Sequence, residues 1–514
     1  MHFSIPDTQD FYNERNGTSY TGYNIHINGI FHCCLRYKQL HNFNEQLKKR
    51  IAHIIPTKLS NSYSKLQFGN ESCADSNATA ATVGPNGKQH YKKICIRLPE
   101  FPPKKLLPLS QSQLEIRRYA LERYIQLLGQ DPIISKTDML FTFLLNAQQE
   151  SAGIEQRTTT LETYLMNGYR IEINCLTTDA SSKILEIACQ NIGLPNEMIH
   201  YFSLYLMRKE NDDNIALVRK LMDFESPYIS QRLLSDCQIV IRKCYWDPCY
   251  DIQLMQDKIA LNLLYIQTVS DIEKDWIIVS PDIKAQLRSL QDRGNKKEYL
   301  DIARKLPSYG CIQFSKASVD YPEPNTCANI VVGNSELSIR ITDGLKIQET
   351  KFKVTRMRCW RVTTTHNVDD SQDIPSNSTK EFISQSLELS FEYLMNKDSL
   401  RWIVINSENA MLMSVCLQGM VDELINQKEG NHFTNIKIQT DDYIPFLYIK
   451  RDDSNRISDS SSSDTISSLN EIDMQTTGGE SFSMKRKIKN KISTTVFFTK
   501  GRESVFEEIG DDDL

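Results

Sequence analysis

Three short segments in the first quarter of the chain place cationic side chains of the kinds that bind phosphate. Arg36 and Tyr37 end an alternating, strand-like stretch. Lys104 follows two prolines in a stiff loop, and Arg117 lies near the start of an apolar run of helical period. A guanidinium can hold one phosphate through two hydrogen bonds, whereas an ammonium adds a point charge. Together with the ring of Tyr37, these groups predict a pocket for a highly charged, ring-shaped anion.

The neighbours of these residues indicate where such an anion would lie. Lys38 adds charge beside Arg36, and Leu106 and Leu107 follow the proline loop. Apolar side chains beside a basic loop are typical of proteins that meet a membrane surface. The alternative is a solvated basic surface with no bound ligand, and the residue types alone leave both interpretations open.

A second set of candidate residues lies in the last third of the folded chain. Trp360 and Val362 belong to a strand-like segment, and Leu417 and Val421 share one stripe of a long amphipathic helix. Taken alone, this pattern predicts a hydrophobic core. The chain then ends in an apolar and acidic segment. Its candidate anchors are Phe506, Ile509 and Leu514.

That C-terminal segment permits two interpretations. A short peptide with two apolar anchors, acidic residues and a free carboxylate can dock on a basic partner surface. An acidic tail that only improves solubility is the other interpretation, and composition alone favours it.

Composition bounds the class of protein. The chain has 514 residues and a net charge of −5, so we expect about two to four domains and no general affinity for nucleic acid. Its 13 cysteines show no C-x-x-C spacing, which predicts free thiols in a reducing compartment and no metal site. We expect neither a signal peptide nor a membrane span, and no enzyme motif or cofactor site is recognisable.

The elements that must position the basic residues come next. Residues 23–36 alternate around Asn28-Gly29, which predicts a β-hairpin, and a helix follows. Residues 51–96 are rich in Ser, Asn, Ala, Thr and Gly and predict a disordered insertion, or an error in the gene model. Order resumes before the proline loop, so the first domain spans residues 1–149.

The remaining chain divides by the period of its hydrophobic residues. Residues 158–244 predict two strands, a helix and further strands, the order of a ubiquitin-like lobe. Residues 245–310 are helical, and residues 311–428 return to strands that end in one long helix. Residues 429–514 are polar and predict a disordered tail.

Two resemblances extend this interpretation. The hairpin, Arg36-Tyr37, Pro-Pro-Lys and an Arg-Arg-x-x-Leu-Glu-x-Tyr string resemble a PX domain that binds phosphatidylinositol 3-phosphate. The resemblance implies that Arg36 grips the 3-phosphate while Tyr37 stacks beneath the ring. It further implies that Lys104 reaches the 1-phosphate, Arg117 binds ring hydroxyls, and the loop leucines enter the bilayer.

The second resemblance covers nearly the whole chain, which is similar to the PX–FERM sorting nexins. The similar strings are residues 1–6, 23–29, 245–247, 261–271, 354–363, 391–395, 420–424 and 506–514. It implies an α+β multidomain protein, with a PX domain, a three-lobed FERM-like module of ubiquitin-like, helical and PTB/PH-like lobes, and a disordered tail.

The same resemblance implies the function of an endosomal cargo adaptor on the cytosolic face of early endosomes. The PTB-like lobe would bind Asn-Pro-x-Tyr or Asn-x-x-Tyr receptor tails between the Trp360 strand and the Val421 helix. The acidic end would recruit the Retriever complex for recycling to the plasma membrane. The alternative is a FERM-type linker between membrane proteins and the cytoskeleton, for which no actin-binding tail is recognisable.

Overall fold

The computed structural model describes most of the chain, with gaps. The described residues are 1–13, 17–57, 98–105, 107–131, 134–209, 215–343, 346–366, 385–396, 399–428, 446–451, 455–456 and 493–498. Within them the strands form three sheets, and helices pack against each sheet.

The first sheet is built around the predicted hairpin. Its strands are β1 (Phe3–Ser4), β2 (Thr8–Asn13), β3 (Thr18–Ile27) and β4 (Ile30–Arg36). Between β3 and β4, Asn28 and Gly29 both have positive φ, 50° and 82°. This conformation suits a two-residue hairpin turn, and Asn-Gly adopts it at low cost. The turn fixes the register that brings Arg36 opposite Gly22.

Three helices cover this sheet. They are α1 (Tyr37–Thr57), α2 (Gln111–Gln130) and α3 (Asp138–Ala152). The first is longer than predicted, because Ile51 is 7% exposed and continues the apolar face of Leu40, Phe43 and Leu47. Residues 51–57 are therefore helical, which contradicts an insertion that begins at residue 51. Residues 58–97 lie outside the described residues.

The second sheet forms the lobe predicted to be ubiquitin-like. Its elements are β5 (Thr158–Tyr164), β6 (Arg170–Leu176), α4 (Ser181–Asn191), β7 (Phe202–Lys209), β8 (Ile215–Lys220), α5 (Pro227–Leu233) and β9 (Cys237–Lys243). The strand order is β6-β5-β9-β7-β8, and the first and last strands in sequence, β5 and β9, run parallel.

A helical lobe follows. Its helices are α6 (Asp251–Leu254), α7 (Lys258–Glu273), α8 (Pro281–Asp292) and α9 (Lys296–Ala303). The carboxylate of Asp251 is fully buried and accepts hydrogen bonds from Tyr309 Oη at 2.8 Å and from Arg304 Nε at 3.1 Å. A buried charge with several donors is satisfied, so this cluster ties the helical lobe together.

The third sheet and one long helix form the last lobe. Its elements are β10 (Ile312–Val319), β11 (Thr326–Gly333), β12 (Glu336–Asp343), β13 (Lys346–Lys353), β14 (Met357–His366), β15 (Gln385–Asn396), β16 (Ser399–Asn406) and α10 (Ala410–Lys428). The apolar side chains of these strands and of α10 share one core. This is the arrangement of a PTB/PH-like lobe.

Three segments of the tail contact the folded domains. The strands β17 (Asn455–Arg456) and β18 (Ser493–Phe498) extend existing sheets: β17 pairs with β2, and β18 pairs with β14. Residues 446–451 contact the first domain. Within the tail predicted to be disordered, these residues therefore have defined partners in the folded domains.

The first domain packs directly on the second lobe. The side chain of Gln148 on α3 accepts from Ser226 N at 2.7 Å and donates to Ser230 Oγ at 3.1 Å. Phe224 enters the core of the first domain. Among the described helices, none combines the length and the apolar character that crossing a membrane requires.

Candidate functional site

The first candidate residue, Arg36, lies where β4 ends and α1 begins. Its backbone N–H donates to Gln39 Oε1 at 2.9 Å, the bond that a side chain in the first turn makes to a helix N-cap. Its guanidinium lies 4.1 Å from the centroid of the Tyr20 ring. Backbone and side chain are thus both held, and the half-buried cation faces a π surface.

Tyr37 connects the other two predicted segments. Its hydroxyl donates to the carbonyl of Pro102 at 2.8 Å, and the Arg117 guanidinium lies 4.5 Å from the centroid of its ring. Burial raises the pKa of the Tyr37 hydroxyl, and the charge of Arg117 partly offsets that rise. One aromatic side chain therefore joins the helix α1, the proline loop and the helix α2.

Arg117 retains an unused donor. Its Nη2 atom is buried and has no hydrogen-bond partner within the described part of the chain. Burial raises the pKa of the nearby Tyr23 hydroxyl, and Arg117 acts in the opposite direction. A buried guanidinium nitrogen without a partner is costly, so this position favours an oxygen supplied by a ligand or a solvent molecule.

The two predicted lysines are on the surface. Lys38 follows Tyr37 and is exposed, and Lys104 is exposed two residues beyond the anchored Pro102. A groove of about 500 Å³ separates the proline loop from α2. Arg117 lines it, whereas Arg36 and Lys104 do not. The structure therefore brings Tyr37 and Arg117 into contact, places the Arg36 guanidinium on the Tyr20 ring, and leaves Lys104 exposed outside the lining of the groove.

The membrane-facing prediction concerns two leucines. Leu107 is 81% exposed at the end of the proline loop, whereas Leu106 lies outside the described residues. Sequence reasoning missed Ile116, which is 69% exposed in the first turns of α2. Ile116 lines the same groove as Arg117, and its position directly before Arg117-Arg118 is the sequence signal that could have identified it.

The second candidate site involves β14 and α10. Trp360 and Leu417 have no exposed surface, Val362 is 4% exposed and Val421 is 8% exposed. The Trp360 indole N–H donates to Ser414 Oγ at 2.9 Å. With β18 in place, these four side chains form the core between strand and helix. This corrects the prediction that they line an accessible groove, because the structure buries all four in the shared core.

The edge of β14 is occupied by the tail. The register runs antiparallel from Cys359 opposite Phe498 to Thr364 opposite Ser493. An extended segment of this chain therefore sits where the resemblance implies that a receptor peptide adds a strand. The polar composition of the tail gave no indication of this pairing.

The remaining predicted residues, Phe506, Ile509 and Leu514, lie outside the described residues. Within the described ranges no cluster of three or more His, Cys, Asp or Glu side chains is arranged to hold a metal ion.

Protein-family models match the chain in the order seen in the structure. The PX domain model matches residues 88–147, and the sorting nexin 17/27/31 FERM F1 lobe model matches residues 159–246. The sorting nexin 17/31 FERM F2 lobe model matches residues 247–307. The Sorting Nexin 17 FERM C-terminal domain model matches residues 310–425. The predicted fold class, a PX domain followed by a FERM module, is confirmed.

Curated proteins that match most of the chain point to the same family. Sorting nexin-17 of Danio rerio is 41% identical over 84% of this chain and 82% of its own length. Sorting nexin-17 of Homo sapiens is 40% identical over 84% of this chain and 83% of its own length. Among solved structures, the human Myosin 7b C-terminal MyTH4-FERM domain, in complex with harmonin-a PDZ3, is 14% identical with a TM-score of 0.35, over 63% of this chain and 72% of that chain. With its PX domain, its three FERM lobes and this identity along most of its length, the chain belongs to the sorting nexin 17 family.

Proposed function

We propose that this protein is an endosomal cargo adaptor that recognises a lipid and a receptor tail at the same time. The PX domain binds phosphatidylinositol 3-phosphate, and the last FERM lobe binds Asn-Pro-x-Tyr or Asn-x-x-Tyr segments. The C-terminal end recruits the Retriever complex, and the protein acts on the cytosolic face of early endosomes. No bond is made or broken in this mechanism.

The observation that carries the proposal is the set of contacts around Tyr37. The hydroxyl of Tyr37 holds Pro102, and its ring lies under Arg117. Arg36 precedes it in sequence and is fixed by the cap of Gln39. Two guanidinium groups and an aromatic ring near the start of α1 suit a phosphorylated inositol, because the cations pair with phosphate and the aromatic ring covers one face of the inositol ring.

Membrane contact follows from the same loop. Leu107 extends into solvent beside Lys104 and Lys105, which are also exposed. An apolar side chain flanked by ammonium groups enters the interface of an anionic bilayer while the charges remain at the headgroups. The protein thereby approaches the membrane through the proline loop.

Receptor tails bind by adding a strand to β14. Backbone pairing supplies affinity and register, and side-chain pockets supply selectivity. β18 occupies this edge with six paired positions, from Cys359 opposite Phe498 to Thr364 opposite Ser493, so a receptor peptide must displace it. The bound peptide and the lipid headgroup then hold one protein to one membrane, and each contact raises the effective concentration for the other.

The experiment that tests this function uses the full chain and two ligands. Vesicles that contain each phosphoinositide in turn are floated with the protein, and fluorescent Asn-Pro-x-Tyr peptides are titrated into it. We expect selective flotation with the 3-phosphate lipid and saturable peptide binding that is lost when the peptide tyrosine is replaced by alanine. Flotation without lipid preference, or peptide binding indifferent to the tyrosine, contradicts the proposal.

A further inference from the structure

One segment of the tail returns to the PX domain and lies along it. This strap consists of residues 446–451 and 455–456. The side-chain amide of Gln46 on α1 makes two bonds to the backbone of Leu447: Leu447 N donates to Oε1 at 3.0 Å, and Nε2 donates to the Leu447 carbonyl at 2.8 Å. An amide that pairs in this way holds an extended backbone as a neighbouring strand would.

The aromatic side chains of the strap point inward. Phe446 meets Phe43 and Phe143 edge-on, with both centroid distances at 6.1 Å. Tyr448 lies 6.0 Å from Phe143, whereas Leu447 between them is 70% exposed. The alternation is that of an extended segment with one face on a core. The strap therefore covers apolar surface of the PX domain.

The polar contacts of the strap converge on Glu150, near the end of α3. Tyr448 Oη donates to Glu150 Oε2 at 2.7 Å, and the backbone N–H of Arg451 donates to Glu150 Oε1. Burial and this carboxylate raise the pKa of the Tyr448 hydroxyl. The hydroxyl is thus a permanent donor at neutral pH.

Gln39 links the strap to Arg36 at the start of α1. It is 3% exposed, and its Nε2 lies 3.2 Å from Tyr448 Oη and 2.9 Å from the Ile449 carbonyl. The other atom of the same amide, Oε1, accepts the N–H of Arg36 at 2.9 Å. The same nitrogen also donates to Glu150 Oε2 on α3 at 2.8 Å, so the strap and Glu150 together fix the orientation of the amide, and the amide fixes the N-cap of α1.

A second path reaches the guanidinium of Arg36. The Arg451 guanidinium lies 4.9 Å from the centroid of Phe11, which stacks on Tyr20 at 5.3 Å. Tyr20 in turn contacts Arg36, whose guanidinium lies 4.1 Å from the centroid of its ring. The strap thus supports both the backbone and the side chain of Arg36.

We propose that the strap is a positioning element of the phosphoinositide site, so that lipid affinity depends on residues more than 400 positions away in sequence. This inference rests on the proposed lipid-binding function. The PX fold holds Arg36 at the start of α1, and the docked strap adds two acceptors to that of Glu150 in holding Gln39 in the orientation that caps it. Preorganised binding groups lose less entropy when the ligand arrives.

The test compares full-length variants on vesicles that contain phosphatidylinositol 3-phosphate. Substituting Phe446→Ala together with Tyr448→Ala removes the inward contacts, and we expect lipid affinity to fall by about fivefold, the scale of one lost hydrogen bond. Leu447→Ala is the matched control, because its side chain points outward, and it should bind as the wild type does. Equal affinity of the double variant and the wild type overturns the inference.

Two further readouts separate a positioning role from loss of fold. Hydrogen exchange at the Arg36 amide should quicken in the double variant while the amides of β3 keep their protection. An unchanged exchange rate at Arg36 overturns the inference, whether or not the protein binds lipid. A synthetic peptide of residues 446–456 added to the double variant should restore lipid affinity, and failure to restore it counts against positioning. If the wild type binds no phosphoinositide, the proposed function fails together with the inference.

Discussion

The indole N–H of Trp360 on β14 donates a 2.9 Å hydrogen bond to the hydroxyl of Ser414 on α10, and both side chains are buried. This bond joins the edge strand of the last lobe to the helix that closes it. We expect Trp360→Phe to lower the free energy of unfolding by about 1–3 kcal/mol, because Ser414 is left buried without its donor. Chemical denaturation of the full chain measures the change.

A paired variant sharpens this prediction. In Trp360→Phe combined with Ser414→Ala, both partners of the bond are gone, so the double variant should lose less than the sum of the two single losses. Additive losses would show that the bond is not a coupled pair. Loss of peptide binding in Trp360→Ala would not show that Trp360 contacts the peptide. The cavity left by the indole lowers the free energy of unfolding by about 3–5 kcal/mol, which can disrupt the lobe by itself.

Arg36→Gln should abolish binding to vesicles with phosphatidylinositol 3-phosphate and leave the fold intact. The guanidinium packs on Tyr20 at the surface, and the backbone bond to Gln39 does not depend on the side chain. We expect at least about a tenfold loss of affinity, the scale of a charge-assisted bidentate contact. Lys183→Gln, a surface lysine of the F1 lobe, is the charge-matched control; lipid binding retained by Arg36→Gln would remove this residue from the site.

Removal of β18 should raise the affinity for receptor peptides. A chain that ends at residue 492 leaves the edge of β14 free, whereas a chain that ends at residue 498 keeps the strand and loses only the acidic end. If β18 occupies the edge of β14 in about nine-tenths of the molecules, the apparent affinity for the peptide is about tenfold lower than that of a free edge. Fluorescence anisotropy with one Asn-Pro-x-Tyr peptide measures both chains, and equal affinities would show that β18 does not compete.

Stability should depend on pH through His32. Its imidazole is buried, contacts the Leu144 carbonyl at 3.0 Å and meets Phe224 edge-on. Burial lowers the pKa of His32 from 6.5 to about 4. Between these values the unfolded chain binds a proton that the folded chain does not, so stability falls as pH is lowered, by at most about 1.4 kcal/mol per pH unit.

Denaturation curves at pH 7, 5.5 and 4.5 test this titration. His32→Gln keeps a donor for the Leu144 carbonyl and has no titrating group, so its stability should fall less steeply with acid than that of the wild type. Parallel slopes for the two proteins would assign the acid sensitivity to other groups, such as His2, whose pKa burial lowers to about 3.

Local chemistry made much of the fold predictable. Asn28-Gly29 marks the hairpin because both positions need positive φ, and the apolar periods locate the lobes. The long helix predicted at the end of residues 311–428 spans Ala410–Lys428. The end of α1 was placed too early. The composition changes only gradually after residue 50, and the burial of Ile51 is what shows that the helix continues.

Long-range contacts account for what the sequence did not reveal. The strap and β18 come from polar, serine-rich surroundings. Backbone pairing that depends little on sequence holds β18, whereas side chains of the PX domain about 400 positions away hold the strap. The burial of Trp360 likewise depends on α10, more than 50 residues later. The basic residues were recognisable as a set, yet the role of Tyr37 as their common contact required the positions of Pro102 and Arg117.

The most direct test of the account is flotation of the full chain with four kinds of vesicle: those carrying phosphatidylinositol 3-phosphate, those carrying an anchored Asn-Pro-x-Tyr peptide, those carrying both, and those carrying neither. We expect weak recruitment by either ligand alone, and recruitment by both ligands together that exceeds the sum of the two. Recruitment by both that equals the better single ligand would contradict it.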